Sequence, residues 1–251
     1  MEWIESNGIR WLRAELDGGD DRRVTAAFTA RVGGVSGAPY ETLNLGLLTG
    51  DEPSAVRENR HRAAAAVGVD PASVVIARQV HGTDLVEHEG PQRPPSYAVP
   101  GPSLRDADGH ATAVPGLAPL VFVADCLPVA LAGPRGVAMV HCGWRGLAGG
   151  IVGRGADAVG ATAAAIGPGI GPCCYEVGAE VLDAFAPLGD GVVRGRMLDL
   201  VAAARALLAE AGVARVEAAD MCTSCNRDLF FSHRRDGGRT GRQAGLAWLD
   251  G

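Results

Sequence analysis

The chain has 251 residues, of which 47% are hydrophobic, 21% charged and only 5% aromatic, so its core must be built mainly from Ala, Val, Leu and Ile. Gly 36 and Pro 15 make up about a fifth of the chain, below the low-complexity range of about a quarter, which excludes a disordered or fibrous protein. The formal net charge of −6 argues against a general nucleic-acid binder, which carries a basic field.

In chain order, VTAAFTARV (24–32) reads as a strand ending at the GGVSG turn. Pro53 to Val67 reads as a helix, with Asp51 as its expected cap, Pro53 in its first turn and Gly68 as its stop. SVVIARQVHG (73–82) reads as a strand ending at His81. Residues 89–102 hold five prolines and form a loop. LVFVADCLPVALA (120–132) and GVAMVHC (136–142) flank GPRG and suggest an antiparallel hairpin. LAGGIVGRGADAVGATAAA reads as a small-residue helix. AIGPGIGPCCYEVG reads as a strand, a Gly-Pro turn and a helix start, and MLDLVAAARALLAEAGV as a patterned helix stopped near Gly212. VEAAD then leads into CTSC and a short C-terminal segment. Strands and helices mix without a regular βαβ repeat, which predicts an α+β fold with mixed sheets.

No basic-then-apolar leader is visible at MEWIESNGIR, and LVFVADCLPVALAG is too short for a membrane span. The expectation is a cytoplasmic protein that binds neither membrane nor nucleic acid, with its six cysteines reduced. All 23 cationic residues are Arg, so lysine Schiff-base and lysine general-base chemistry are excluded. Any anion must be held by guanidinium forks, backbone N–H groups or a metal.

If GPRG is the hairpin turn, His141 sits opposite Pro128. Cys126 then lies on the same sheet face as His141 and diagonal to it, roughly 7–8 Å away at Cα, while Cys142 points to the other face. With His81 ending a separate strand, one thiol and two imidazoles could surround a single Zn²⁺ and leave its fourth position open. Alternatively, His141 could activate Cys126 as a nucleophile. On spacing alone, a His or Cys in an apolar strand is more often core than ligand.

The blocks RVGGVSGAPYETLNLG, GDEPSAVRENR, QVHGTDLV, ADCLPVAL, VHCGWRGLAGGIV, AIGPGIGPCCYEVG and CTSCNRDLFFSHRRDGGRTGRQAGLAWL follow one another in this order. Together they resemble the laccase-domain (YfiH-like) family of purine nucleoside phosphorylases, from about residue 24 to the C-terminus. The resemblance implies a single domain over residues 1–251, with a fold similar to the catalytic domain of cytotoxic necrotizing factor toxins. It implies a zinc centre that maps onto His81, Cys126 and His141. The implied reactions are phosphorolysis of adenosine, inosine and S-methyl-5'-thioadenosine, with adenosine deamination beside it. Some members of the family are described as copper polyphenol oxidases and some as peptidoglycan-editing factors. Val32 departs from the pattern, because many members have His there.

Multicopper chemistry requires many imidazoles, typically in His-x-His pairs. The six histidines of this chain include no such pair, although Cu²⁺ could enter the His-Cys-His site as a single ion. The zinc deaminase signature of H-x-E with P-C-x-x-C is absent. Phosphorolysis needs a held phosphate dianion and a positioned sugar. Candidate substrate-binding residues are Arg60, Arg145 and either Arg234 or Arg242 for phosphate, Asn44 for sugar hydroxyls, and Glu176 for acid–base work. The structural alternatives are surface ion pairs for the arginines, a turn for Asn44 and a helix first turn for Glu176. Asp125 should face away from Cys126 and orient or cap a neighbouring loop. Cys173 and Cys174 read as packing. Cys222 and Cys225 form a C-x-x-C for which a buried structural pair leads over a second zinc or a redox pair. The expected partners are a purine nucleoside and inorganic phosphate, and the expected oligomeric state is a monomer. Two further readings differ in class. One is a cysteine hydrolase or amidase of the peptidoglycan-editing type using Cys126 and His141. The other is a zinc-stabilised partner-binding domain with no catalysis.

Overall fold

The N-terminal hairpin forms because Asn7 and Gly8 both adopt left-handed φ, at 53° and 74°, the two-residue turn whose twist matches paired strands. Strand β1 (Glu2–Ser6) pairs across this turn with β2 (Ile9–Asp17), and β3 (Arg23–Thr29) follows antiparallel to β2. The computed structural model describes residues 1–19, 22–99 and 104–251, so the end of the proline-rich loop at 100–102 lies outside the described residues. Helix α1 runs from Pro53 to Val67, and Gly68 closes it at φ 81°. The helix has the bounds expected from sequence but a different cap. Glu52 is the N-cap, and Asp51 instead accepts hydrogen bonds from Ser36 Oγ and Asn44 Nδ2.

The remaining elements are β4 (Val74–Val75), β5 (Leu85–His88), β6 (Gly109–Thr112), β7 (Ala118–Val123), β8 (Leu127–Gly133) and β9 (Gly136–Cys142). They continue with α2 (Trp144–Ala148), α3 (Ile151–Val159), β10 (Ala163–Ile166) and α4 (Ala179–Phe185). A small β11 (Val193–Arg194) and β12 (Met197–Leu198) pair precedes α5 (Leu200–Glu210), β13 (Arg215–Ala218) and β14 (Gln243–Leu249). Two six-stranded sheets result, in the orders β1-β2-β3-β14-β7-β4 and β13-β10-β8-β9-β6-β5. Both are mixed, since β4 with β7, β5 with β6 and β10 with β13 run parallel and the other pairs antiparallel.

The sheets face each other through a core of small side chains, including Ala14, Ala26, Ala130, Ala132, Ala163, Ala165 and Ala247 around Phe28 and Met139. This alanine richness lets the sheets approach closely. A Cβ on Gly245 of β14 would lie 2.4 Å from Cβ of Pro128 in β8. Helix α1 covers the outer face of the first sheet, and α2, α3 and α5 pack over the outer face of the second. The layers are therefore helix, sheet, sheet and helix, consistent with the α+β reading. Among the described residues no helix is long and apolar enough to cross a membrane.

Several local expectations are corrected. The strand expected over 120–132 is two strands, because the chain leaves one sheet after Val123 and enters the other at Leu127, with Asp125 at φ 89° in the bend. The strand expected over 73–82 shrinks to Val74–Val75, since the N–H groups of Val80, His81 and Gly82 are bonded to the Asp108 carboxylate and cannot join a ladder. The helix expected through GATAAA is interrupted at Gly150 (φ 88°) and ends at Gly160 (φ 62°), and the following alanines form the buried strand β10. The helix after CCYEVG begins only at Ala179, so Glu176 is not in a helical first turn. The C-terminal segment, not assigned from sequence, is β14, which pairs with β3 on one side and β7 on the other.

Within the second sheet, His110 is fully buried, with Nδ1 3.1 Å from Nε2 of His88 and with Nε2 unpartnered. Burial, reinforced by His88, pushes the His110 imidazole down to about 3, and burial likewise lowers His88. Below pH about 6.5 the unfolded chain binds a proton at His110 that the folded chain refuses. Its contribution to stability is therefore complete above pH about 6.5 and is lost as pH falls from there toward about 3. Urea midpoints measured across this range should fall with pH, and His110→Leu should flatten that decline; an unchanged slope would contradict the assignment.

Candidate active site and metal centre

The hairpin register is the expected one, with Pro128 opposite His141 and Leu127 opposite Cys142. Cys126 sits immediately before β8 in the crossover between sheets, and Cys142 is buried against the helical layer. His81 reaches the same point from a bend at φ 60°. One ligand atom from each of His81, Cys126 and His141 lies within 4.8 Å of the others. The two imidazoles meet edge to face, with centroids 4.9 Å apart.

Asp108 holds this group together, and sequence inspection missed it. It is fully buried. Its Oδ1 lies 2.7 Å from His141 Nδ1 and accepts from His81 N at 3.0 Å. Its Oδ2 accepts from Gly82 N at 2.7 Å and Val80 N at 3.1 Å. Burial alone would raise this carboxyl, but the bonds from His141 and Gly82 outweigh it and hold Asp108 below its ordinary value. A carboxylate on Nδ1 fixes the imidazole orientation and leaves Nε2 as the free ring nitrogen. The only hint in the sequence was DADGH, an acidic residue two positions before a histidine, which carried no recognisable spacing to His141.

Burial would raise the Cys126 thiol, but His141, with His81 assisting, pushes it down to about 6. Burial would lower His141, but Cys126 and Asp108 together raise it to about 9. The metal-free pair is therefore a thiolate beside an imidazolium. A soft sulfur, two imidazoles and a carboxylate behind one of them match a three-ligand ion with an open position. The donor set fits one Zn²⁺ or one Cu²⁺ and is too small for a trinuclear copper cluster. Gly143 completes the centre by its lack of a side chain: a Cβ there would lie 3.0 Å from His81 Cδ2 and 3.1 Å from Cys126 Sγ.

These residues form part of the wall of a cleft of about 650 Å³, a size suited to a nucleoside-sized molecule. Five arginines line it. Arg78 is paired with Asp106, Nη2 to Oδ2 at 2.7 Å. Arg60, Arg145, Arg234 and Arg242 have no carboxylate partner among the described residues. Arg60 is 2% exposed, so it is not the surface ion pair that its polar helix face suggested. Its Nε donates to Leu45 O at 2.9 Å and its Nη1 to Tyr97 O at 3.1 Å, and its guanidinium stacks on Tyr97 and Phe122. Burial pushes it down to about 10, which leaves it cationic near neutrality. Tyr97 belongs to the proline-rich loop, so that loop anchors Arg60. Arg145 is exposed within α2 and stacks 4.2 Å over Trp144. Arg234 stacks on Tyr175 and donates from Nη1 to the Glu176 carbonyl.

Asn44 and Glu176 fall outside the cleft. Asn44 is fully buried, and its amide bonds Gly46, Thr49, Asp51 and the N–H of Arg242, which leaves nothing for a sugar. The Glu176 carboxylate is exposed and faces Arg196 at 3.4 Å, which removes it from acid–base work in the cleft. Asp125 does turn from Cys126, accepting from Thr223 Oγ1 at 2.6 Å and Arg234 N at 2.7 Å. Val32 borders a separate shallow surface with Arg31 and Arg235. His233 lines the cleft and was not singled out from sequence. Cys174 packs against the core of the second sheet as expected, but Cys173 is exposed, and both gather with Cys222 and Cys225.

Asp108→Asn keeps the side-chain size but removes the charge behind His141. Metal affinity at the His-Cys-His centre should fall about 10–100-fold, as measured by competition with a chromophoric chelator, while Asp106→Asn should leave it unchanged.

A family model described as multi-copper polyphenol oxidoreductase laccase matches residues 25–250. The purine nucleoside phosphorylase YfiH of Shigella flexneri is 40% identical over 240 residues, covering 90% of this chain and 94% of the relative. A purine nucleoside phosphorylase of Streptomyces coelicolor is 43% identical over 242 residues, covering 89% and 94%. The crystal structure of YlmD from Geobacillus stearothermophilus superposes with a TM-score of 0.87 at 33% identity, over 99% of this chain and 98% of that one. That of the Bacillus licheniformis hypothetical protein YfiH superposes with 0.86 at 32% identity, over 99% of each. The match along the whole sequence and the whole fold places this chain in the laccase-domain, YfiH-like family, whose curated relatives are named purine nucleoside phosphorylases.

Proposed function

We propose that the protein is a zinc-dependent purine nucleoside phosphorylase acting on adenosine, inosine and S-methyl-5'-thioadenosine, with adenosine deamination as a second activity. The single observation that carries the reading is the cleft. Four arginines without carboxylate partners among the described residues surround a two-histidine, one-cysteine donor set in a chain whose net charge is negative. The names of the relatives give the substrate class.

In this reading Arg60 is the principal phosphate holder. It is cationic, already desolvated and fixed by two carbonyls and two aromatic faces, so little freedom is lost when an anion arrives. Arg145, Arg234 and Arg242 complete a positive wall in which the phosphate dianion is oriented toward the ribose C1′. Trp144, Tyr175 and Phe122 supply flat surfaces for the purine. His81, Cys126 and His141 hold the metal, and Asp108 keeps His141 in the ligating tautomer. Bound there, zinc would supply a Lewis acid and an acidified water at neutral pH, the chemistry that deamination requires. The site belongs to a single catalytic domain over residues 1–251, and the expected setting is cytoplasmic.

One observation favours a second reading. Asp108, His141 and Cys126 stand in the order orienting acid, base and nucleophile, and the metal-free thiol is already acidic. That is the arrangement of a cysteine hydrolase acting on an amide. A metal-ligating Cys126 is shielded from iodoacetamide and becomes reactive after chelation, whereas a free nucleophile is labelled at once.

Adenosine incubated with zinc-loaded protein, with and without phosphate, should release adenine only when phosphate is present, with inosine appearing directly from deamination. Neither product would sink the purine reading. Arg60→Gln should raise the phosphate KM about tenfold or more, the loss expected for a charge-assisted hydrogen bond, with a smaller change in nucleoside KM.

A further inference from the structure

Outside the cleft, the second concentration of metal-binding chemistry among the described residues is a cluster of four thiols. Cys173 and Cys174 come from the Gly-Pro turn after β10, and Cys222 and Cys225 from the CTSC loop after β13. All four sulfurs lie within 4.8 Å of one another. Cys225 Sγ is 3.5 Å from Sγ of both Cys173 and Cys174. Four sulfurs at about 2.3 Å from one tetrahedral zinc stand about 3.8 Å apart, whereas a disulfide needs about 2.05 Å. All four cysteines are free thiols. Sulfur spacing therefore matches a shared ion rather than a covalent pair.

The backbone is shaped for the same end. Gly169 pairs with Cys222 in a parallel bridge, and Thr223 N donates to Gly169 O at 2.9 Å, so the two loops are held in register. A Cβ on Gly171 would lie 3.2 Å from Cys222 Cβ and 3.4 Å from Cys173 Sγ, so a glycine is what lets the loops close. In the C-x-x-C, Asn226 N and Nδ2 both donate to Cys222 O, at 3.1 and 2.8 Å, and tighten the loop.

We propose that Cys173, Cys174, Cys222 and Cys225 form a second metal site, a closed four-thiolate Zn²⁺ centre that pins the loop of residues 171–176 to the loop of residues 222–226. Its role is positional. Tyr175 lies one residue beyond Cys174 and lines the cleft with Arg234 stacked on it. Thr223 lies one residue beyond Cys222 and bonds Asp125, which also holds the Arg234 N–H. The ion thus fixes one wall of the cleft without touching substrate. The proposal does not depend on the reaction assigned to the cleft, and its test reads metal rather than activity.

The test is zinc content after expression in zinc-supplemented medium and purification under a thiol reductant. His81→Gly/Cys126→Ala, which lacks two of the three cleft donors and leaves only His141, should retain about one zinc per chain, and Cys222→Ser/Cys225→Ser should lose that equivalent. Because the latter variant could misfold, the unmutated chain is also stripped and titrated with Co²⁺, where a four-thiolate site gives intense sulfur-to-cobalt charge transfer. The same chain supplies a thiol count: the four cysteines should resist a thiol reagent until a chelator is added. The proposal is overturned if the cleft variant carries no zinc, if no cobalt–thiolate charge transfer appears, or if the four thiols react equally fast with and without chelator.

Discussion

Four hydrogen bonds converge on one buried carboxylate. Asp108 uses both oxygens twice, on Val80 N, His81 N, Gly82 N and His141 Nδ1, which fills the acceptor capacity of a carboxylate. Three of these bonds fold the segment after β4 into the bend that brings His81, at left-handed φ, to the end of the β8–β9 hairpin. The fourth orients His141. Burying this anion is tolerated only because every lone pair is met. The same carboxylate thus sets the backbone of one candidate ligand and the ring of another, and a candidate metal centre drawn from separate segments depends on it.

The third candidate ligand is placed by topology. Between Val123 and Leu127 the chain passes from one sheet to the other, and Cys126 ends that passage while Asp125 turns the opposite way into the CTSC loop. The crossing is short because the sheets are close, and they are close because their shared core is largely alanine, with Gly245 against Pro128. The Ala-rich composition is thus part of how the centre is built. Around it the loop bearing Cys173 and Cys174, the segment after the CTSC loop, the proline-rich loop and α1 deliver wall residues, Tyr175, Arg234, Ser96 and Arg60.

The hairpin was legible because its register follows from a short turn and a two-residue side-chain period, so Cys126 and His141 could be paired from sequence. Helix α1 was legible through Pro53 and Gly68, where backbone restriction acts locally. Asp108 was not, because its partners lie about thirty residues away on either side and nothing local marks a buried acceptor. Asn44 and Glu176 looked available for substrate because polar residues near glycine turns do so in any sequence. Their fates were decided by neighbours 2 to 198 residues distant for Asn44, and by Arg196 for Glu176. Arg60 could be read equally as a phosphate holder or as half of a surface pair, because its helix neighbours are polar, and its burial beside Tyr97 of the proline-rich loop removes the surface reading. Cys173 and Cys174 looked like packing because they are adjacent, and Cys222 and Cys225 read as an isolated C-x-x-C; no spacing links the two pairs, which meet through the bridge between Gly169 and Cys222.

The central claim is that the arginine-lined cleft beside the His-Cys-His centre transfers a purine nucleoside's ribose to phosphate. Phosphorus NMR of inorganic phosphate, adenosine and zinc-loaded protein tests it most directly. The account predicts a new phosphomonoester signal that grows in proportion to the adenine released and is lost when Arg60 is replaced by Gln at low phosphate. Adenosine consumption with the phosphate signal unchanged would contradict it.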